Sequence, residues 1–273
     1  MTDPDLHDNA YSELLGSDVS QWAFGTDFED PLAGVDTTVP AGLDAGELAQ
    51  DCLRLGDDAL VLSHRLTQWS SNAPDLEDDI ALSNIALDLL GQARLLLARA
   101  AAADPSVVPV LPAGSPVPAE DALAFFREAG AFRCGRLVEL ENGDFAQTIA
   151  RLLLATTARY AEFARLVSHA DPVLAAIACK GLKELAYHRD YAARWFVTLA
   201  LGTEESRRRL EAGLATVWPY REAVTPELGQ VLAAASVEEP AGGRSVSSGH
   251  TEALGRMLAE MQVVARAHPE GLW

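Results

Sequence analysis

The chain has little cysteine, few aromatic residues and little positive charge, and each shortage excludes a class of protein. Its three cysteines, Cys52, Cys134 and Cys179, are far apart and form no C-x-x-C pair. Such a set argues against a disulfide framework, so we expect three buried free thiols in a cytoplasmic protein. Aromatic residues make up only 7% of the 273 residues, whereas alanine and leucine are abundant, which favours helices over a β-sandwich.

Positive charge is the shortage that bears on partners. The chain has 21 Lys and Arg against 40 Asp and Glu, a formal net charge of −19. An acidic surface of this size repels phosphates, so we expect neither nucleic acid nor an anionic membrane as a partner. The sequence also lacks the basic n-region of a signal peptide. It contains no run of about 18 uncharged apolar residues that would predict a membrane-spanning helix.

Several common enzyme motifs are absent as well. The sequence has no Gly-rich phosphate loop, no G-x-S-x-G, no H-E-x-x-H and no internal repeat. It begins with an acidic stretch, because residues 1–53 contain twelve Asp and Glu but no Lys or Arg. We predict that residues 1–45 form a partly extended acidic N-terminal extension and that residues 46–273 form one helical domain.

What the chain does contain is helical periodicity. Four long stretches carry apolar residues at steps of three and four, and Asp75, Asp144 and Asp171 precede the last three as N-caps. Short breaks follow the first and third stretches, and a long Pro-rich connection follows the second. This pattern predicts an all-α protein, namely a ferritin-like four-helix bundle with one crossover. Shorter helices, mostly C-terminal, are predicted at residues 120–129, 204–223, 226–235 and 251–267.

Polar residues interrupt the apolar stripes of the second and fourth long helices at one-turn spacing. They are Asp88 and Gln92 on the second helix and Glu184 and His188 on the fourth. A di-iron bundle requires Glu-x-x-His on two helices and a Glu from each of the other two. Three residues after Asp88 and Glu184, where imidazoles would be needed, the chain has Gly91 and Tyr187. The ligand set is therefore too small for two metal ions.

We accordingly predict no catalytic, cofactor or metal site in this chain. The candidates for a vestigial metal site are Asp88, Gln92, Glu184, Tyr187 and His188. Asp88 should meet a cation or a hydroxyl donor, because buried charges are paired or neutralised. The candidate donors are Arg94, Arg151, Lys180, Lys183 and Tyr187. A single metal ion held by Asp88, Glu184 and His188 is the alternative. We expect four further histidines, which lie in tails or near helix ends, to be solvated. These are His7, His169, His250 and His268.

Four ordered segments resemble one known family. They are "LGDDALVLSHRLTQWSSNAPDLEDDIALSNIALDLLGQARLLL" at 55–97, "ENGDFAQTIAR" at 141–151, "KELAYHRDYAARW" at 183–195 and "GHTEALGRMLAEMQ" at 249–262. Together they are similar to the structural, metal-free C subunit of ring-1,2-phenylacetyl-CoA epoxidase, over roughly residues 46–273. The acidic residues before position 46 have no counterpart in this resemblance.

The resemblance implies a fold and a role. A member of this family is a ferritin-like bundle that has lost its metal ligands and pairs with the di-iron catalytic subunit of the epoxidase. The complex, which has further small subunits, epoxidises phenylacetyl-CoA in aerobic phenylacetate degradation. Its electrons come from a separate reductase that uses NADPH, FAD and an iron–sulfur cluster. The resemblance thus implies a structural subunit with no cofactor of its own.

Two other functions stay open from the sequence, as does the use of certain apolar rows. The chain could be a self-sufficient di-iron oxygenase or ferroxidase, or a helical module that binds acyl-CoA, although CoA phosphates favour basic proteins. Apolar residues outside the main stripes could face a partner subunit or the chain's own later helices. They are Leu60, Val61, Leu89, Leu90, Leu96, Leu152 and Leu154.

Overall fold

The computed structural model describes residues 31–222, 224–245 and 249–271, which contain helices and no strand. The all-α prediction is therefore confirmed. In chain order the helices are α1 (Ala45–Thr67), α2 (Leu76–Ala103), α3 (Ala119–Phe125), α4 (Arg136–Glu139), α5 (Phe145–Leu166), α6 (Pro172–Leu201), α7 (Glu204–Val217), α8 (Pro226–Ala234) and α9 (Glu252–Ala267). Most of the predicted acidic extension, residues 1–30, lies outside the described residues.

The four long helices, α1, α2, α5 and α6, all begin at an aspartate. The side chains of Asp44, Asp75, Asp144 and Asp171 each accept a hydrogen bond from the backbone N–H three residues later. A cap of this kind stabilises a helix by about 1 kcal/mol. The predicted caps at Asp75, Asp144 and Asp171 are confirmed, and Asp44 adds a fourth.

Contacts at their two ends show that α1 and α5 run antiparallel. In the first half of α1, Arg54 forms an ion pair with Glu162 near the end of α5. Just beyond the end of α1, Trp69 Nε1 donates a hydrogen bond to Thr148 Oγ1 near the start of α5, at 3.0 Å.

The same reasoning shows that α2 and α6 are antiparallel. Trp195 Nε1, late in α6, donates to Asp78 Oδ1, early in α2, at 2.8 Å. Arg99, late in α2, forms a buried ion pair with Asp171, the N-cap of α6. Because α5 and α6 form a hairpin, α2 and α5 run parallel. The connection at residues 104–144, which carries α3 and α4, is therefore the predicted crossover.

Most of the apolar rows left open by the sequence pack inside the chain. Leu60, Val61, Leu89, Leu96, Leu152 and Leu154 are between 0% and 4% exposed, so they belong to the core. Leu90 differs, with 45% of its surface exposed on α2. By length and composition alone α2 could cross a membrane. However, 44% of its most apolar window is buried in the chain, and one such helix is weak evidence for a span.

The thiols follow the expectation only in part. Cys52 and Cys134 are buried free cysteines, but Cys179 is exposed on α6, so the prediction of three buried thiols was wrong. The reason is its position, since the neighbouring Ala178 and Lys180 mark the boundary between the buried and outer sides of that helix.

Candidate functional site

In the middle of α2 and α6, a polar link joins Asp88 to His188. His188 Nε2 lies 2.8 Å from Asp88 Oδ2, and the imidazole is fully buried whereas the Asp88 side chain is 40% exposed. The antiparallel pairing of the helices places these residues opposite each other, which the sequence could not show. The prediction of the donor to Asp88 was therefore wrong, because the contact is with His188. The predicted candidates were Arg94, Arg151, Lys180, Lys183 and Tyr187. Tyr187 itself is 55% exposed.

One turn along both helices, Gln92 and Glu184 form the centre of a second link. Gln92 Nε2 donates to Glu184 Oε2 at 2.8 Å. Lys180, one turn before Glu184 on α6, forms an ion pair with its other carboxylate oxygen. On the opposite side Arg159 of α5 donates through Nε to Gln92 Oε1 at 3.0 Å. These four side chains, which we call the Arg159 network, tie together α2, α5 and α6.

Arg159 is the residue of this network that the sequence analysis missed. It is only 8% exposed, its Nη1 donates to the Leu55 carbonyl at 3.0 Å, and its guanidinium lies 4.5 Å from the centre of the Phe163 ring. Burial lowers the pKa of Arg159 to about 10, so the side chain is still charged at neutral pH. Its spacing was the available signal, because an arginine three residues after Thr156 and four before Phe163 lies on the buried stripe of α5.

A glycine makes room for this arrangement. A Cβ added at Gly181 of α6 would lie 2.5 Å from the Phe163 ring and 3.4 Å from Gln92 Cδ. Because a real Cβ does not approach an aromatic carbon that closely, only glycine lets the Phe163 ring lie between α5 and α6. The space between α5 and α6 beside Gly181 is thus filled by the Phe163 ring, which lies under the guanidinium of Arg159.

These residues do not fit a di-iron centre. A carboxylate that bridges two irons must offer both oxygens to metal, but those of Glu184 are taken by Gln92 and Lys180. Lys180 contacts Glu184 and Arg159 contacts Gln92, so the two positive charges flank the Gln92–Glu184 hydrogen bond and would repel a metal cation there. Within the described ranges, Asp88, Glu184 and His188 also do not converge as three donors within 4.8 Å of one another.

Another group of three potential metal ligands does converge in the described part of the chain, and the sequence analysis missed it. Its members are Cys134, Glu139 and His250. His250, expected to be solvated, contacts the wholly buried Glu139 through Nδ1 and the Phe132 carbonyl through Nε2, the latter at 2.9 Å. Glu139 Oε2 accepts from the backbone N–H and hydroxyl of Thr251 at 2.7 and 2.8 Å. Cys134 Sγ lies 3.8 Å from Glu139 Oε1, and burial raises the pKa of this thiol. The cluster ties α4 to the start of α9.

A cavity of about 240 Å³ lies beside the Arg159 network, between α1 and α5. Asp58, whose Oδ1 accepts from Gly135 N at 2.7 Å, lines it, and burial raises the pKa of this carboxyl to about 6. The other charged lining residues are Arg54, Arg159, Arg165, Glu162 and Glu222. Three cations are thus matched by three carboxyl groups, and the cavity offers little excess positive charge to the phosphates of an acyl-CoA.

Comparison with known proteins establishes the family. A family model described as "Phenylacetic acid catabolic protein" matches residues 36–228, a range that includes α1, α2, α5, α6 and the Arg159 network. The chain belongs to this phenylacetic acid catabolic family. A relative named as the C subunit of 1,2-phenylacetyl-CoA epoxidase, from Escherichia coli (strain K12), is 37% identical over 257 residues. The alignment covers 83% of this chain and 99% of that relative. Both the resemblance seen in the sequence and the ferritin-like fold class are confirmed.

Proposed function

We propose that this chain is a non-catalytic structural subunit of a cytoplasmic phenylacetyl-CoA epoxidase complex. In this role it pairs with the di-iron catalytic partner and supports it during aerobic phenylacetate degradation. The observation that carries the proposal is the Arg159 network, in which Gln92 and Lys180 contact both carboxylate oxygens that Glu184 would need to offer to metal. The similarity to the C subunit of the epoxidase supports membership of the complex.

The proposal divides the work between chains. The di-iron site belongs to the catalytic partner, and the NADPH, FAD and iron–sulfur chemistry belongs to a separate reductase that contacts the complex with the other small subunits. The residues of this chain hold three helices at fixed separations through Asp88–His188 and through the Arg159 network. A rigid bundle of this kind presents a constant surface to a partner.

The decisive experiment is iron analysis of the purified chain, alone and after co-expression with the catalytic subunit. We expect well under one iron per copy of this chain, and iron in the complex that follows the amount of the catalytic subunit. About two tightly bound irons per copy, or oxygen uptake by the chain alone, would instead support a self-sufficient di-iron oxygenase or ferroxidase.

Substitution of the linking carboxylates separates a structural role from a chemical one. Asp88→Ala and Glu184→Ala should weaken folding or co-purification with the catalytic subunit by about 1–2 kcal/mol each, since both carboxylates are partly exposed but each leaves a buried partner, His188 or the Gln92 amide, without its hydrogen bond. Asp190→Ala is the matched control, because Asp190 is 55% exposed on the same helix. If Asp88→Ala or Glu184→Ala abolished turnover while melting and assembly stayed normal, a direct chemical role would be indicated.

A further inference from the structure

The cluster of Cys134, Glu139 and His250 contains three kinds of side chain that bind zinc in proteins. A thiol, a carboxylate and an imidazole each contribute one donor atom, and these three atoms lie within 4.8 Å of one another. Cys134 and Glu139 are 7% and 0% exposed, and the side chain of His250 is 21% exposed. Zinc takes sulfur, nitrogen and oxygen donors of these types, whereas Mg²⁺ and Ca²⁺ prefer oxygen alone. Among divalent cations, the donor set therefore favours zinc.

The side-chain atoms that would not touch an ion are already held by other groups. His250 Nε2 lies 2.9 Å from the Phe132 carbonyl, which can only accept, so Nε2 carries a proton and Nδ1 is the nitrogen that faces the cluster. Glu139 Oε2 accepts hydrogen bonds from the backbone N–H and the hydroxyl of Thr251, which leaves Oε1 for the cluster. Metal ligands in proteins are oriented by outer hydrogen bonds of this kind. Both ligands are thus held with a free donor atom towards the same point.

A divalent ion can enter this cluster without changing its net charge. His250 Nδ1 and Glu139 Oε1 are in hydrogen-bond contact, so they share one proton, and the buried Cys134 thiol carries a second. With these two protons the three side chains together are neutral. Zn²⁺ bound by a thiolate, a carboxylate and a neutral imidazole is also neutral, and the two protons pass to solvent. The exchange therefore leaves no unbalanced charge in the interior.

The geometry requires only a small adjustment. Cys134 Sγ lies 3.8 Å from Glu139 Oε1, close to the separation of about 3.5 Å expected for a sulfur and an oxygen on one tetrahedral zinc ion. The imidazole of His250 must withdraw from Oε1 by about 1 Å to reach the same arrangement. Such a shift moves no helix, because His250 lies in the connection before α9. Its exposed edge provides the entry path and a place for a water molecule as the fourth ligand.

We propose that Cys134 Sγ, Glu139 Oε1 and His250 Nδ1 bind one structural Zn²⁺ ion, which fixes the start of α9 to α4. The helix α4 has only four residues, and a single helical turn is marginal by itself. An ion held by Cys134 before α4 and by Glu139 at its end keeps this turn closed. It also joins Glu139 to His250 across 111 positions, and a link that closes so long a loop restricts the unfolded chain.

This inference goes beyond the proposed function and does not depend on it. The ion takes no part in the epoxidation, and it lies outside the Arg159 network that carries the proposed function. The inference does differ from the sequence-based expectation of no metal site in this chain.

The test is metal binding by the tag-free, full-length chain after treatment with a chelator. Titration with zinc against a competing chelator should give one tight site per chain, and Co²⁺, used as a probe for zinc, should give the near-ultraviolet absorption of a cobalt–thiolate bond. Cys134→Ser should weaken zinc binding by about 100-fold or more and abolish that absorption. Thr251→Val, which removes only a hydroxyl hydrogen bond to Glu139, should weaken it by about 10-fold. Cys179→Ser and Cys52→Ser are the matched controls, one exposed and one buried, and should bind metal as the wild-type chain does.

A second measurement covers the case in which Cys134→Ser folds poorly. Zinc should raise the thermal unfolding temperature of the wild-type chain and slow limited proteolysis just before α9, and neither effect should occur in His250→Ala. The proposal is overturned if the wild-type chain binds zinc no more tightly than Cys134→Ser, if the cobalt–thiolate absorption persists in that variant, or if zinc does not stabilise the wild-type chain.

Two outcomes separate this inference from the proposed function. Loss of epoxidation on removal of zinc, with assembly intact, would overturn the structural role of the ion. Failure to bind zinc would leave the proposed function standing, because co-purification with the catalytic subunit and iron analysis test that function separately.

Discussion

Replacing Arg159 by alanine should lower the free energy of unfolding by about 2 kcal/mol. The change leaves the buried acceptor Gln92 Oε1 without the donor that lies 3.0 Å away in the intact chain, at about 1–3 kcal/mol, and it removes an additional donor from the Leu55 carbonyl, which keeps its helical hydrogen bond, at about 1 kcal/mol. Loss of the side-chain stem and of its contact with Phe163 adds about 2 kcal/mol. Burial lowers the pKa of this guanidinium from 12.5 to about 10, which is an unfavourable contribution to stability of about 3 kcal/mol. Alanine removes this contribution, so it offsets part of the loss.

The assay is urea unfolding followed by circular dichroism at neutral pH. Arg165→Ala is the matched control, because Arg165 is exposed on the same helix, and it should change stability by no more than about 0.5 kcal/mol. Arg159→Met keeps most of the packing volume and should fall between the two. If Arg159→Ala unfolded at the same urea concentration as Arg165→Ala, the network would not stabilise the bundle and the reasoning would be refuted.

Three further changes test other parts of the structure. Gly181→Ala should cost about 2 kcal/mol, because its Cβ would lie 2.5 Å from the Phe163 ring, and an unchanged melting temperature would contradict this. Glu139→Gln weakens the contact with His250, so it should lower stability by about 2 kcal/mol and speed limited proteolysis just before α9. Digestion at the wild-type rate would contradict this expectation. The pKa of Asp58, raised to about 6, means that the protonated carboxyl is favoured on folding, so wild-type stability relative to Asp58→Asn should decline as pH rises from about 4 to 7, by up to about 3 kcal/mol. Urea unfolding at several pH values checks this, and a pH-independent difference would count against it.

The bundle was predictable because its signals are local. Apolar spacing, three aspartate caps and a Pro-rich connection each depend on a few neighbouring residues, and these determine the helices and the crossover. The polar pairs Asp88/Gln92 and Glu184/His188 could be singled out for the same reason. Their partners could not, because a sequence does not show which turn of α6 lies opposite which turn of α2.

The residues that were missed share one property, which is that their role depends on contacts distant in sequence. Arg159 contacts Gln92 across 67 positions, and His250 contacts Glu139 across 111 positions. The sequence indicates that Arg159 lies on the buried stripe of α5, but it does not show that this stripe faces Gln92. A basic residue on a buried stripe carries equal information, since it must be matched by acceptors on a neighbouring helix.

The buried Arg159 and the partly exposed Lys180 bring two positive charges to the polar link between α2, α5 and α6, and both are covalent parts of the chain. A bundle whose helices are joined through a bound metal reaches its full stability only after the ion arrives. In the structural subunit that we propose, the polypeptide brings its own cations, so its helices would associate whatever the supply of iron to the cell. Such a chain would reach its final shape even during iron starvation.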